Sequence, residues 1–127
     1  MRRRRQFVNN AQDVIVSNCH IAASQMSKSN EPIFYAEQSY RVQVNNCLIK
    51  NLSNMTRNCL ELHDSKYCQI SGCHVDHSIG GAENIDFTIK ETGTESNCNQ
   101  IVNNICVGAS VGPAVIYGVA SISQNNI

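Results

Sequence analysis

The chain has 127 residues, of which 42% are hydrophobic and 16% charged, which is enough for one domain with a buried core. Its formal net charge is zero, so bulk electrostatics provides no attraction for a polyanion, and we expect no nucleic-acid partner. No apolar run approaches the length of a transmembrane helix, so we expect no membrane insertion.

A basic run from Arg2 to Arg5 opens the chain, and we interpret residues 1–6 as a solvated basic arm. The alternative is an arm that binds nucleic acid or a membrane surface. The residues after the arginines, Asn9 to Asp13, are polar, whereas an export signal would continue with an apolar segment. The sequence therefore predicts no signal peptide and synthesis in a cytoplasm.

Short apolar alternations recur through residues 7–127 at steps of roughly 20 to 30 residues, the spacing of a repeat protein. The first unit reads VIVSNCHI from Val14, and the second reads VQVNNCLI from Val42. Within each unit the apolar residues alternate with other residues, as in a strand with one buried face. Aligning the alternations places one aliphatic residue of each unit in a common column: Val16, Val44, Ile70, Ile101 and Ile122.

A residue that tolerates left-handed backbone follows the first strand of most units: Asn18, Asn46, Gly72 and Asn103. After this residue the alternation resumes. Each unit is therefore predicted to be a strand, a tight bend and a second strand. The asparagines should form a partial ladder at the bend, interrupted by the glycine.

A further apolar triplet precedes most units, and the triplets begin at Ile33, Leu60, Ile85 and Val115. The tyrosines that close two of them, Tyr35 and Tyr117, fall at inward positions and are predicted core residues. Three short strands in each repeat are typical of a parallel β-helix, whose coils stack about 4.8 Å apart. The sequence thus predicts an all-β solenoid of about five coils. A β-sandwich of the same short strands is the alternative.

The seven cysteines are predicted to be free thiols, because their number is odd and no CxxC motif occurs. Free cysteine behaves as a small hydrophobic residue and is usually buried. Three of the cysteines occupy the same inward position of successive units, where asparagines continue the column: Cys19, Cys47, Cys73, Asn104 and Asn125.

The units VIVSNCHI, VQVNNCLI, CQISGCHV and IVNNICV resemble coils of the right-handed parallel β-helices of the pectate-lyase-like superfamily. The ending YGVASISQNNI is similar to phage tailspike and tail-fibre depolymerases. The resemblance implies a right-handed β-helix, assembly as a homotrimer, a place in the virion tail after synthesis in the host cytoplasm, and bacterial surface polysaccharide as the partner. Relatives usually have more coils, so an alternative is a segment of a longer solenoid that associates with a parent β-helix protein.

Two groups of side chains are predicted to be catalytic. Glu61 and Asp86 are the middle residues of two aligned triplets, so stacking would make them neighbours on one outer face. Close carboxylates can divide into acid and base, as glycoside hydrolysis requires, although they could also hold Ca²⁺ or lie on a solvated sheet. His63 and Asp64 form the second group.

Five residues are predicted to bind substrate. Tyr40 and Tyr67 precede strands at bends, where an aromatic ring could contact a sugar. His74 and Asp76 should share one face of a strand, with His77 beside them. A metal site or simple exposure are the alternatives for this histidine-rich segment, and we predict no metal and no cofactor.

Three functions remain open from the sequence. The first is a tailspike-type domain that binds, and could degrade, bacterial surface polysaccharide. The second is a stand-alone polysaccharide lyase or hydrolase. The third is a non-catalytic structural or assembly segment of a longer β-helix.

Overall fold

The computed structural model describes residues 6–23, 32–51, 58–77 and 85–127, so the basic run from Arg2 to Arg5 lies outside the described residues. The regular structure of these ranges consists of short β-strands. None of the ranges contains a helix that could cross a membrane.

The strands form three parallel sheets, and successive strands of the chain visit the sheets in turn. The first sheet contains β1 (Gln6–Asn9), β4 (Phe34–Glu37), β7 (Leu60–His63), β10 (Phe87–Thr92) and β13 (Gly112–Val115). The second contains β2 (Ile15–Ser17), β5 (Gln43–Asn45), β8 (Gln69–Ser71), β11 (Gln100–Val102) and β14 (Ile122–Gln124). The third contains β3 (His20–Ala23), β6 (Leu48–Asn51), β9 (His74–Asp76) and β12 (Ile105–Val107).

This arrangement confirms the predicted all-β parallel solenoid, because each strand pairs with the equivalent strand of the next coil. The number of coils differs slightly from the predicted five. The third sheet has four strands where the other two have five, so the last coil is incomplete within the described residues. The right-handed sense of the helix stays a prediction from the resemblance.

Left-handed residues turn the chain at three positions in the coil, where the sequence indicated one. The predicted bend is confirmed at Asn18, Asn46, Gly72 and Asn103, which all have φ between 55° and 65°. A second column of left-handed residues lies where the chain leaves the strands of the first sheet. A third column lies just before the strands of the second sheet. Their members are Asn10, Gln38, Asp64 and Gly93 in the second column, and Asp13, Arg41, Tyr67 and Cys98 in the third.

The core fills the space between the three sheets. Its apolar members alternate with outward residues along the short strands, as the period-2 pattern indicated. Burying this apolar surface is the main favourable contribution to folding. The fully buried aliphatic and aromatic side chains are Ile33, Phe34, Val42, Val44, Ile49, Leu60, Leu62, Ile70, Val75, Ile89 and Ile101.

The cysteine column continues into asparagines as predicted, although its first member, Cys19, is exposed and its last member differs. Cys47 donates through Sγ to the carbonyl oxygen of Val16 at 3.6 Å, and Cys73 donates to that of Val44 at 3.5 Å. Asn104 makes the equivalent bond to the Ile70 carbonyl through Nδ2 at 3.1 Å. The thiols and the amide therefore have the same role, because each donates a hydrogen bond to a backbone carbonyl of the preceding coil.

The register of the last coil is the main correction to the predicted columns. Ile101 pairs with Ser123 rather than with Ile122. Asn125 takes the left-handed bend, with φ 55°, and Asn126 therefore joins the inward column in place of Asn125. A shift of one residue turns every side chain of a strand to the other face, which leaves Ile122 47% exposed.

Candidate functional site: an axial groove

Two columns of polar residues run along the solenoid beside the first sheet and form a groove. One column is the set of left-handed residues after this sheet, and the other is joined by single bridges, Gln12 to Tyr40 and Tyr40 to Lys66. A cavity of about 360 Å³ lies between them, lined by Asn10, Gln38, Tyr40, Asp64, Lys66 and Glu95. These residues come from four successive coils, so the cavity extends about 14 Å along the axis.

A four-residue pattern builds the wall of this groove. It consists of a left-handed residue, a serine, a bridged residue and a second left-handed residue, and it occurs at 38–41 and 64–67. The serines are buried, and Ser65 Oγ accepts the amide N–H of Ser39 at 3.1 Å. In turn Ser96 Oγ accepts the N–H of Ser65 at 3.2 Å. Because the serines point inward, the residues on either side project into the groove.

A second cavity of about 170 Å³ adjoins the first, and Lys66 and Glu95 line both. Its far wall is the segment from Tyr117 to Val119. Gly118 is required in this wall, since a Cβ at this position would lie 2.4 Å from the carbonyl oxygen of Ser96. The sequence placed Tyr35 and Tyr117 in the core. Tyr35 instead lies on the outer face of the first sheet, between the inward Phe34 and Ala36, and Tyr117 is exposed at the edge of the groove.

Glu91 holds this wall in place. Its carboxylate points into the core at the end of β10 and is 2% exposed. It accepts hydrogen bonds from the backbone N–H of Tyr117 at 2.6 Å, from the N–H of Gly118, from Asn99 Nδ2 at 2.6 Å and from the Ser121 hydroxyl. Four donors around one buried carboxylate satisfy it without a cation, so Glu91 is a structural anchor.

A chain of hydrogen bonds on the outer face of the first sheet leads to the groove. The Thr92 hydroxyl donates to Glu61 Oε2 at 2.6 Å, and Thr92 Oγ1 lies 2.8 Å from His63 Nδ1. Because the hydroxyl hydrogen goes to Glu61, Thr92 Oγ1 can accept a hydrogen bond from His63 Nδ1 in the tautomer that carries a proton on this nitrogen. His63 Nε2 lies 3.3 Å from Asp64 Oδ2, and Asp64 lines the groove. Three of the four predicted catalytic residues are thus brought together.

Asp86 does not join them, and its predicted stacking on Glu61 is wrong. The register pairs Glu61 with Lys90, because Leu60 aligns with Ile89 rather than with Ile85. Asp86 instead lies 2.9 Å from the ammonium of Lys90. Burial raises the pKa of Asp86, but hydrogen bonds from Lys90 and the Phe87 N–H outweigh it and lower the pKa below its ordinary value. A lowered pKa does not suit a general acid.

The two tyrosines predicted to bind substrate lie in different surroundings. Tyr40 projects into the groove and is 40% exposed. Tyr67 occupies a left-handed bend, is 59% exposed, and lies outside the groove lining. Only Tyr40 is therefore placed to cover a ligand that lies in the groove.

The histidine-rich segment divides between surface and core. His74 and Asp76 share the outer face of β9 as predicted, on the third sheet and away from the groove. His77 is a correction, since its side chain is fully buried and does not face solvent. Its Nδ1 accepts a hydrogen bond from Asn51 Nδ2 at 2.7 Å. Its burial follows from the alternation, because Val75 and His77 lie on the same side of the strand.

Cys59 and His77 do not form a nucleophilic pair. Sγ of Cys59 lies 3.9 Å from the same Nδ1 of His77 that Asn51 contacts, so no relay runs through the ring. Burial raises the pKa of the Cys59 thiol well above its ordinary value, which keeps the thiol neutral and unreactive. Within 6–23, 32–51, 58–77 and 85–127, no three His, Cys, Asp or Glu side chains are grouped to hold a metal.

Comparison with known proteins gives no family assignment for this chain. No protein-family model, curated protein or solved structure matches it.

Several residues were missed from the sequence: Gln38, Lys66, Asn10 and Glu95 in the groove, and Thr92 in the hydrogen-bond chain beside it. They are separated along the chain and meet only because coils stack. The one signal that could have found the first two is the repeated serine, since QSYR at 38–41 and DSKY at 64–67 place a polar residue on each side of it.

Proposed function

We propose that this β-helix binds bacterial surface polysaccharide in the axial groove, in a tailspike-type role. The observation that supports it is the groove itself, in which one aromatic ring and five polar or charged side chains line about 14 Å of the axis. Stacked repeats commonly use such extended surfaces for binding.

The chemistry of the lining suits a sugar chain. Amide groups such as that of Gln38 both donate and accept hydrogen bonds, and carboxylates such as Asp64 accept several, so hydroxyl groups find partners in either role. Tyr40 adds a flat apolar face with a polar end, which suits a ring that is apolar on one face and hydroxylated at its rim. Cavities with a few fixed polar groups are the usual binding sites of small or chain-like ligands.

The two tyrosines provide a matched test. Purified protein is titrated with a panel of bacterial surface polysaccharides by calorimetry, and the best binder is then measured with Tyr40→Ala and Tyr67→Ala. We expect Tyr40→Ala to weaken binding about tenfold, because the bound ligand would bury this aromatic ring. Tyr67→Ala should leave the affinity unchanged. Equal affinities for both variants and the native protein would contradict binding in the groove.

Cleavage of the bound glycan is a second candidate, and the chain from Glu61 through Thr92 and His63 to Asp64 favours it. Such a chain can move a proton between a buried carboxylate and a group at the groove edge. Release of reducing ends or unsaturated products from a bound polysaccharide would be assayed. Full activity in Glu61→Gln would rule out this chain as the source of the reaction.

A homotrimer and a location in the virion tail belong to the same proposal. Light scattering behind size exclusion tests the assembly directly. A trimer is the expected mass, and a stable monomer would contradict the tailspike role while leaving binding in the groove intact.

A further inference from the structure

We propose that the groove selects polysaccharides that lack acidic sugars, and that Asp64 and Glu95 exclude anionic chains. This inference rests on the proposed function, because it specifies which glycans the same groove accepts. Neutral chains and chains that carry amino sugars would bind, whereas chains rich in uronic acids would not.

The charges that line the groove are unbalanced toward negative. The larger cavity has two carboxylates, Asp64 and Glu95, and one ammonium group, that of Lys66. The charged residues of the smaller cavity are again Lys66 and Glu95. Lys66 Nζ lies 3.9 Å from Glu95 Oε2, so its charge is already partly compensated before a ligand arrives.

Asp64 cannot turn away from a ligand in the groove. Its backbone is left-handed, with φ 48°, and Oδ1 accepts the backbone N–H of Glu95 at 3.0 Å. His63 Nε2 lies 3.3 Å from Oδ2. Gly93 in the next coil leaves the space that this carboxylate fills, because a Cβ there would lie 2.2 Å from Oδ1. The carboxylate is therefore fixed at the groove wall.

A fixed carboxylate discriminates by charge in a simple way. It accepts hydrogen bonds from hydroxyl groups and from the ammonium of an amino sugar through its remaining lone pairs. A uronate carboxylate in the same place would be opposed by a like charge that the protein cannot move, and such juxtapositions suppress wrong partners.

The test uses neutral, amino-sugar-containing and uronic-acid-containing bacterial surface polysaccharides as probes, with calorimetry at low salt. We expect binding only in the first two classes. In the double variant Asp64→Asn with Glu95→Gln, both amides keep the shape of the side chains, and Asn tolerates the left-handed backbone. This variant should bind uronic-acid chains at least about tenfold more tightly than the native protein does.

Asp13→Asn is the control, since it replaces one carboxylate by an amide beside Arg41, outside the groove lining. It should leave the affinity for every class unchanged. Native protein that binds uronic-acid chains as tightly as neutral ones, with no change in the double variant, would overturn the charge selection and leave the groove as a binding site. Failure to bind any class would overturn both.

Discussion

The interior of the second and third coils differs from that of the fourth and fifth, although the backbone is the same. In the earlier coils the inward positions beside the second sheet hold Val42, Cys47 and Cys68. In the later coils the equivalent positions hold Asn99 and Asn104, and the buried carboxylate Glu91 lies nearby. At these inward positions one half of the solenoid presents apolar side chains and thiols (the apolar half), and the other presents hydrogen-bonded amides (the polar half).

The comparison shows what these inward positions require. Sγ of Cys68 lies 3.9 Å from the Ser39 carbonyl oxygen, and Asn99 Nδ2 donates to the Ser65 carbonyl oxygen at 2.8 Å. A thiol is a weak donor, but it adds apolar contact with the core. An asparagine also accepts, and Asn99 Oδ1 receives the N–H of Cys68 at 2.8 Å. Either residue satisfies the backbone, so the core can change from apolar to polar without a change of fold.

Removing the carboxylate at the centre of the polar half should have the largest effect. Glu91→Ala leaves three buried donors and one partly buried donor without their acceptor, and each unsatisfied buried group costs about 1–3 kcal/mol. We expect a loss of about 3 kcal/mol or more in the free energy of unfolding, measured by urea denaturation. Glu91→Gln keeps one acceptor oxygen, so its free energy of unfolding should lie between those of Glu91→Ala and the native protein.

Hydrogen exchange locates the effect within the chain. In Glu91→Ala the amides of Tyr117 and Gly118 should lose protection first, since Glu91 is their acceptor. If Glu91→Ala were as stable as Glu91→Gln, the carboxylate would not anchor the last coil.

Two isoleucines that share an expected column sharpen the comparison further. Ile70 is fully buried in the apolar half, whereas Ile122 is 47% exposed in the polar half. Ile70→Ala should cost about 2–5 kcal/mol, and Ile122→Ala should stay within about 0.5 kcal/mol of the native protein. Urea denaturation of both variants measures the difference. A comparable loss in Ile122→Ala would mean that the last coil adopts the register indicated by its aliphatic residues.

The features of the fold that depend on local sequence were predicted correctly. Alternation around Val16 and Val44 indicates strands, and Asn18 and Asn46 tolerate the left-handed bend. The third column of bends was missed because Arg41, Tyr67 and Cys98 give no left-handed signal, whereas the second column does contain Asn10, Asp64 and Gly93, whose signal was not used. The conformation of the third column is imposed by the stacking of coils.

The predicted strand registers were wrong where two alignments satisfy the same local pattern. Ile85 and Ile89 are both apolar and four residues apart, so either suits an inward position, and only stacking decides that Ile89 aligns with Leu60. In the last coil Asn125 and Asn126 are adjacent, and the bend rather than the aliphatic residue fixes the register.

The groove could be predicted only in part for the same reason. Tyr40 and Asp64 were selected from their local context and do line the groove. Lys66 and Glu95 meet them only after coils stack, which a single repeat does not reveal. His77 could have been placed correctly, since its alternation with Val75 indicates an inward position.

Alkaline pH should affect the thiol half of the column and not the amide half. Burial raises the pKa of Cys73 from its ordinary value of 9.0 to about 11. Below pH 9.0 the thiol is protonated in both the folded and the unfolded chain, so it adds no pH dependence. Between pH 9.0 and about 11 the unfolded chain releases the proton and the folded chain retains it, so stability falls as pH rises.

Urea denaturation in reducing buffer at several pH values between 8 and 10.5 measures this slope. Cys73→Ala should be less stable at pH 8, because a buried side chain is lost. As pH rises, its stability should then fall less steeply than that of the native protein, and the difference in slope should correspond to about one proton. Asn104→Ala changes the next residue of the same column, which does not titrate, and should keep the native slope. The other groups that titrate in this range, lysines, tyrosines and the remaining thiols, are common to all three proteins and cancel. Identical slopes in all three would mean that Cys73 is not held as the neutral thiol, and that the hydrogen bond from its Sγ to the Val44 carbonyl does not stabilise the column.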